Sequence, residues 1–161
     1  MPSTSVESSI AVAQRIADED LFPTAQDIDR AALIPLDRFA GLADAGLFGI
    51  VGPVELGFGG LDVHELRRVM ATVSSGCGAT FFAWVQHHGV VRTMSEASND
   101  ELREAWVPRL CRGEVVAGTA FAHLRRADRR AVTATRVSGG WRLEGFAPWA
   151  TSWGIAEIFT V

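Results

Sequence analysis

Apolar residues in the first part of the chain recur every three to four positions, the spacing that places side chains on one face of an α-helix. Residues 5–20 follow this pattern with charged residues in between, and they predict a first helix. Residues 27–30 are mostly polar and predict a turn. Proline in the first turn and glycine just past the end predict a second helix that starts after Ile34-Pro35 and stops at Gly46.

Further helices are predicted between residue 62 and the middle of the chain. Asp62 and Glu65 have the spacing of a capping box and precede an apolar stripe, so they predict a helix start. Residues 79–94 are apolar nearly all round, which predicts a helix buried among others. Asn99 predicts the N-cap of a helix whose first-turn acids suit the positive end of its dipole. The short connections between these helices favour a bundle.

The hydrophobic period changes from helical to extended after Gly113. The helix that contains Pro108 ends at this glycine and leads straight into an apolar run. Short apolar or alternating runs predict strands at residues 115–122, 131–137, 141–144 and 155–161. Ser138-Gly-Gly140 predicts a hairpin between the middle two strands. The predicted fold class is therefore α+β, with an all-α helical bundle at residues 1–113 followed by the start of an antiparallel β-barrel domain at residues 114–161.

Composition narrows the class of protein. With 161 residues, 48% of them hydrophobic and 21% charged, the chain is typical of a soluble globular protein. A net charge of −4 argues against a nucleic-acid partner. No apolar run approaches the length of a membrane helix, and residues 1–9 lack a basic or apolar leader, so we expect a cytoplasmic protein without a membrane partner. Arginines cluster between residues 125 and 136, as either a solvated loop or a site for an anionic ligand such as a phosphate.

Other candidate sites lack the residues that their chemistry requires. The glycine-rich residues 55–60 have neither the lysine nor the hydroxyl residue of a phosphate-binding loop. Cys77 and Cys111 are far apart and predict buried, inert thiols. His87 and His88 are adjacent, so on a helix they point about 100° apart and do not suit one metal ion. We therefore predict no metal site, and we assign no catalytic residue because the acids at helix starts are explained as caps.

Several short phrases of the sequence occur in a characteristic order. They are Leu42-Ala-Asp-Ala-Gly-Leu-Phe-Gly-Ile50, Pro53, Glu55, Gly57-Phe-Gly-Gly-Leu61, Gly76-Cys77, Trp106-Val-Pro-Arg-Leu-Cys-Arg-Gly-Glu114, Ala120-Phe-Ala122, Trp141-Arg-Leu-Glu-Gly145 and Trp149-Ala-Thr151. The series extends over most of residues 36–161. In order and spacing it resembles the acyl-CoA dehydrogenase family.

That resemblance implies a flavoprotein with an N-terminal helical domain, a middle β domain and a C-terminal four-helix domain, the last of which is absent from these 161 residues. FAD would lie between the β domain and the C-terminal domain, with an acyl-CoA or other acyl thioester stacked on the flavin. A carboxylate base would take the α-proton while the flavin takes a hydride from the β-carbon. Many members carry that base in the C-terminal domain, so none is assigned in this chain. A homo- or hetero-oligomer is also implied.

The resemblance places flavin contacts on two segments and substrate contacts on one helix. The flavin-contacting residues would be Phe121, Ala122, His123, Leu124, Trp149, Ala150 and Thr151, and the substrate-contacting residues Phe81, Phe82 and Val85. His123 either tunes the cofactor or substrate carbonyl, or is a buried structural histidine. Trp149, considered without the family, suits a core tryptophan of a β domain. The three helix residues, considered in the same way, suit a helix core.

The sequence departs from the family in one loop. Family members carry a glycine-rich loop with a hydroxyl residue after the first strand, whereas this chain has the shorter Leu124-Arg-Arg-Ala-Asp-Arg-Arg130. Its arginines either replace neutral hydrogen bonds with charge-assisted ones to a phosphate of FAD or CoA, or mark a site that does not bind flavin. The first hypothesis is FAD-dependent α,β-dehydrogenation of an acyl thioester. The alternatives are a non-catalytic truncated or partner subunit of a heteromeric acyl-CoA dehydrogenase-like complex, and an unrelated binding module.

Overall fold

The computed structural model of the protein describes residues 6–125 and 132–161, and it has helices first and strands after. The helices are α1 (Val6–Arg15), α2 (Ala25–Arg30), α3 (Asp37–Asp44), α4 (Val63–Gly76), α5 (Gly78–Ser95) and α6 (Asp100–Cys111). The strands are β1 (Ala117–Thr119), β2 (Val132–Val137), β3 (Gly140–Gly145) and β4 (Ile158–Thr160). The predicted α+β class is confirmed. No helix within the described ranges is long and apolar enough to cross a membrane.

The N-terminal segment is helical over nearly all of its predicted length, but its second half is not an α-helix. After α1 the chain continues as a π-helical turn at Ile16–Leu21 and a short 3₁₀ turn at Phe22–Thr24. A Cβ on Gly76 would lie 2.9 Å from the Cα of Ala17, so only a glycine lets the end of α4 approach this turn. The close approach anchors the π-helical turn in the core.

The predicted turn at residues 27–30 is wrong, because Ala25–Arg30 forms helix α2. Its polar composition gives no helical stripe, yet Ile28 is buried in the main core cluster. Burial of one side chain against the rest of the bundle overrides the weak local preference of the polar residues around it.

Helices α4 and α5 form as predicted. Asp62 Oδ1 accepts hydrogen bonds from the backbone N–H groups of His64 (2.7 Å) and Glu65 (2.9 Å), and Glu65 Oε2 accepts one from Asp62 N (2.8 Å). These bonds complete the capping box. Helix α5 is buried on several sides, with Trp84 and His87 fully inaccessible to solvent. It is the central helix of the protein.

Two clusters of buried side chains surround α5. The larger one joins α5 to the helices before it and includes Phe48 and Trp84. The smaller one lies where α5, α6 and β1 meet, and it includes Val91, Leu110 and Ala117. Because α5 contributes side chains to both clusters, it packs both against the other helices and against β1.

The sheet differs from the expectation in one pairing. β2 and β3 form the predicted antiparallel hairpin, with Val137 opposite Gly140. β1 and β4, in contrast, pair in parallel, from Ala117 opposite Ile158 to Thr119 opposite Thr160. The long connection between these two strands contains the hairpin, and such a crossover permits the parallel direction. The described strands pair two by two and close no barrel.

Candidate functional site

The second predicted cofactor segment lies in a turn between β3 and β4. We call residues 149–154 the tryptophan turn. The backbone N–H of Thr151 donates a hydrogen bond to the carbonyl oxygen of Thr119 in β1 (2.9 Å), and Thr151 is buried. Trp149 is 62% exposed, so its indole is presented to solvent and is not part of the core. The backbone of the turn is thus bonded to β1, while the indole of Trp149 is exposed.

The tryptophan turn forms one side of a cavity of about 340 Å³, here called the aromatic cavity. Trp149, Ala150 and Thr151 line it on one side, and Phe82 and Ala83 of α5 line it on another. Residues 32–34 line it as well. Most of this lining is apolar, and none of it is Asp, Glu or His. The aromatic cavity therefore suits an apolar or aromatic ligand, and its lining supplies no acid or base.

Only one of the three predicted substrate residues lines the aromatic cavity. Phe82 does so and is 46% exposed. Phe81 instead packs against Trp84, with ring centroids 6.2 Å apart, and Val85 packs against the same core cluster. Adjacent positions on a helix point in different directions, and only the tertiary contacts decide which of them faces the cavity.

The structure reveals a second exposed tryptophan at the cavity, Trp153, which sequence reasoning missed. It is 72% exposed, lines the cavity, and lies 6.0 Å from Phe159 of β4, measured between ring centroids. The backbone before it is strained, since Ser152 has a φ of 64°. Two tryptophans four positions apart, separated by small residues, are the sequence signal that could have identified this rim.

The first predicted cofactor segment lies just beyond β1 and does not line the aromatic cavity. Phe121 is half-buried, and Ala122–Arg125 forms a short 3₁₀ helix in which Leu124 is 71% exposed. The side chain of His123 and residues 126–131, which hold the core of the arginine cluster, lie outside the described part of the chain. The roles predicted for them stay predictions.

Two neighbouring side chains of α5 connect the helices to β1. His87 Nδ1 accepts a hydrogen bond from Ala117 N (3.1 Å), and its Nε2 lies 3.1 Å from the carbonyl oxygen of Leu110. Burial lowers the pKa of His87 to about 4, so the ring is neutral at physiological pH and Nε2–H donates to Leu110. Gln86 Oε1 accepts a hydrogen bond from the Thr119 hydroxyl (3.1 Å).

His88 has a different environment from its neighbour. Its ring lies 4.4 Å from that of Trp84, and neither ring nitrogen has a hydrogen-bond partner among residues 6–125 and 132–161. Burial, reinforced by the neighbouring His87, lowers the pKa of His88 to about 3. Within the described residues no group of His, Cys, Asp and Glu side chains could hold a metal ion.

The carboxylates at helix ends have structural partners. Asp62 caps α4, and Asp100 pairs with Arg103 at 2.6 Å in the first turn of α6. Glu114 pairs with Arg112 just after α6, and this bond lowers the pKa of Glu114. The positions of Asp62 and Asp100 agree with the interpretation of acids at helix starts as caps and first-turn charges.

The chain is similar to known proteins both in sequence and in fold. The model of the acyl-CoA dehydrogenase N-terminal domain matches residues 6–114. Benzylmalonyl-CoA dehydrogenase of Aromatoleum aromaticum is 29% identical over 160 residues, which are 91% of this chain and 40% of that protein. Probable acyl-CoA dehydrogenase FadE10 of Mycobacterium tuberculosis is 34% identical over 143 residues, which are 83% of this chain and 22% of that protein. The chain thus spans less than half the length of these relatives.

Solved structures agree with the sequence relatives about the fold. A glutaryl-CoA dehydrogenase from Mycobacterium smegmatis in complex with FADH2 superposes with a TM-score of 0.85 at 18% identity, covering 99% of this chain and 42% of that one. PigA with FAD and proline superposes with a TM-score of 0.76 at 19% identity, covering 99% and 43%. The resemblance drawn from the sequence phrases is confirmed. The chain belongs to the acyl-CoA dehydrogenase family.

Proposed function

We propose that this chain forms one wall of the FAD site of an acyl-CoA dehydrogenase-like flavoprotein that oxidises an acyl thioester between its α and β carbons. The observation that carries the proposal is the exposed indole of Trp149 beside an apolar cavity, next to the buried Thr151 that β1 holds in place. The solved relatives that contain FAD or FADH2 support it.

The residues around the aromatic cavity fit a flavin ring. A flat isoalloxazine stacks well on an exposed indole, and Thr151 lies beside Trp149 to bond a polar edge of the ring. A volume of about 340 Å³ is at the small end of ligand pockets. We therefore assign to this cavity the flavin ring system and not the whole dinucleotide.

The chain's own residues would position and desolvate the reactants. FAD, when bound, supplies the hydride acceptor. Phe82 and the other apolar side chains of the cavity exclude water from the reacting carbons, which strengthens every electrostatic interaction there. Because the lining contains no carboxylate or histidine, the base that removes the α-proton must come from outside this cavity.

Further parts of the proposal follow the sequence expectations. Residues 1–113 would be the helical domain and residues 114–161 part of the β domain. An acyl-CoA or related acyl thioester would be the substrate, without a nucleic-acid or membrane partner. Assembly would be as a homo- or hetero-oligomer in the cytoplasm. The first predicted segment, from Phe121 to Leu124, would contact the flavin from beyond β1.

Binding of FAD to a matched pair of tryptophan variants tests the proposal. Trp149→Ala should weaken FAD binding by about tenfold, which corresponds to the loss of one stacking contact. The melting temperature should change little, because the indole is 62% exposed. Trp141→Ala is the control, since this tryptophan is equally exposed, at 64%, but lies on β3 and does not line the cavity. Equal FAD affinity of the two variants, or no binding to the unmodified chain at millimolar FAD, would refute the proposal.

A non-catalytic partner subunit is the second candidate, and one observation favours it. The aromatic cavity has no titratable side chain. Under this hypothesis FAD binds only after a second acyl-CoA dehydrogenase-like chain has been added. Flavin fluorescence measured with the chain alone and with such a partner separates the two candidates, because FAD binding to the chain alone contradicts the second.

A further inference from the structure

The two edges of β1 have different partners. On one edge β4 pairs with the strand, and the flanking bonds from Glu157 N to Val116 O (3.0 Å) and from Ala120 N to Thr160 O (2.7 Å) continue that pairing. Backbone groups of successive residues in a strand point to alternate edges. The backbone groups of Ala117 and Thr119 therefore point to the opposite edge.

That opposite edge is shared by His87 and the tryptophan turn. Ala117 N–H donates to His87 Nδ1, and two residues further along the same edge Thr119 C=O accepts from Thr151 N–H. The hydroxyl of Thr119 bonds to Gln86, the residue beside His87 on α5. Helix α5 thus holds β1 at Ala117 and at Thr119, and Thr119 is the residue whose carbonyl oxygen binds Thr151.

His87 also connects the strand to α6. The ring is fully buried, and its Nε2 bonds to the carbonyl oxygen of Leu110 near the end of that helix. One neutral imidazole therefore joins α5, α6 and β1 across the turn at Gly113, where φ is +70°. A side chain that lacks either the donor or the acceptor would leave a buried backbone group of this junction unpaired.

We propose that Gln86 and His87 are positioning residues that fix the edge of β1 on which Thr151 binds, and so set the distance between the tryptophan turn and the α5 wall of the aromatic cavity. Neither residue lines the cavity, so they act through the strand. Their effect on a bound flavin rests on the proposed function. Their effect on the tryptophan turn does not, and it can be measured without any ligand.

The test uses amide hydrogen exchange in the 161-residue chain, read residue by residue by NMR. His87→Leu should accelerate exchange at Thr151 N–H at least tenfold more than at the amides of α4. His87→Gln, which keeps one donor and one acceptor, should restore most of the protection. His88→Leu is the matched control, because it replaces a neighbouring buried histidine that has no hydrogen bond to β1 within the described residues.

Two results would overturn the inference. One is a Thr151 amide that is unprotected in the unmodified chain. The other is a His87→Leu variant in which Thr151 and α4 amides accelerate by the same factor, as a merely structural role predicts. Where His87→Leu does not fold, Gln86→Leu takes its place, because it removes the bond to Thr119 and leaves both bonds of His87 in place, and it should accelerate exchange at Thr151 selectively as well.

A parallel titration with FAD separates this inference from the proposed function. If the unmodified chain does not bind FAD, the proposed function is refuted, but the exchange result and the positioning role that it supports are unaffected. Selective exchange at Thr151 together with unchanged FAD affinity in His87→Leu supports the positioning role of α5 and overturns an effect of that positioning on a bound flavin.

Discussion

Gly118, in the middle of β1, is the position where one added methyl group should disturb the packing of the tryptophan turn against the strand. A Cβ there would overlap the carbonyl oxygen of Thr151 and would lie 2.8 Å from Cε1 of Phe159. The first of these atoms belongs to the backbone of the tryptophan turn and the second to a side chain of the paired strand β4. Gly118→Ala must therefore push the turn away from β1 or disturb the β1–β4 pair.

The size of the effect follows from two costs. Forcing a methyl group into a packed region costs about 1–3 kcal/mol. Loss of the bond between Thr151 N and Thr119 O adds about 1 kcal/mol. Gly118→Ala should therefore lower the free energy of unfolding by roughly 2–4 kcal/mol, a large part of what a domain of this size possesses. FAD binding should weaken too, because the tryptophan turn moves.

Gly89→Ala is the matched control. This glycine is exposed in the middle of α5, and an added Cβ would meet no atom within 4 Å. The same chemical change should stabilise the protein by about 1 kcal/mol, since alanine is the better helix former. Urea unfolding followed by circular dichroism measures both variants. The reasoning is refuted when both shift the midpoint in the same direction, or when Gly118→Ala leaves stability and Thr151 exchange unchanged.

Two further predictions concern acid and the start of α4. The pKa values of His87 and His88 lie at about 4 and about 3 in the folded chain, below the ordinary 6.5, so between pH 6.5 and pH 4 the unfolded chain binds protons that the folded chain does not. The free energy of unfolding should be highest above pH 6.5 and should decrease by about 1.4 kcal/mol for each histidine with every unit by which the pH is lowered below 6.5. Urea midpoints from pH 7 to pH 4 check this. His88→Leu should show a shallower slope. Asp62→Ala should lower the free energy of unfolding by about 1 kcal/mol, because it removes the helix cap. Asp62→Asn can still accept the N–H bonds and should lower it less. Equal melting temperatures of the two variants would contradict the capping account.

Local signals in the sequence predicted the elements whose cause is local. The capping box at Asp62, the buried helix at residues 79–94 and the hairpin at Ser138 all formed as expected, because each depends on residues within a few positions of one another. The family could be reached in the same way, since its phrases are short and occur in order.

Other features could not be predicted because they depend on residues far apart in the chain. Helix α2 forms because Ile28 is buried by the rest of the bundle, and no pattern within residues 25–30 predicts that burial. The parallel pairing of β1 with β4 depends on the path of the connection between them, which the alternation of side chains does not encode.

The site shows the same division. Trp149, Ala150 and Thr151 were identified from the sequence as a candidate cofactor segment, and their type is what a flat aromatic ligand requires. Only the tertiary structure decided that Phe82, and not Phe81 or Val85, faces them. The reason is physical: residue type sets which interactions a side chain can make, while the partner it meets depends on how helix and strand pack across more than sixty intervening residues.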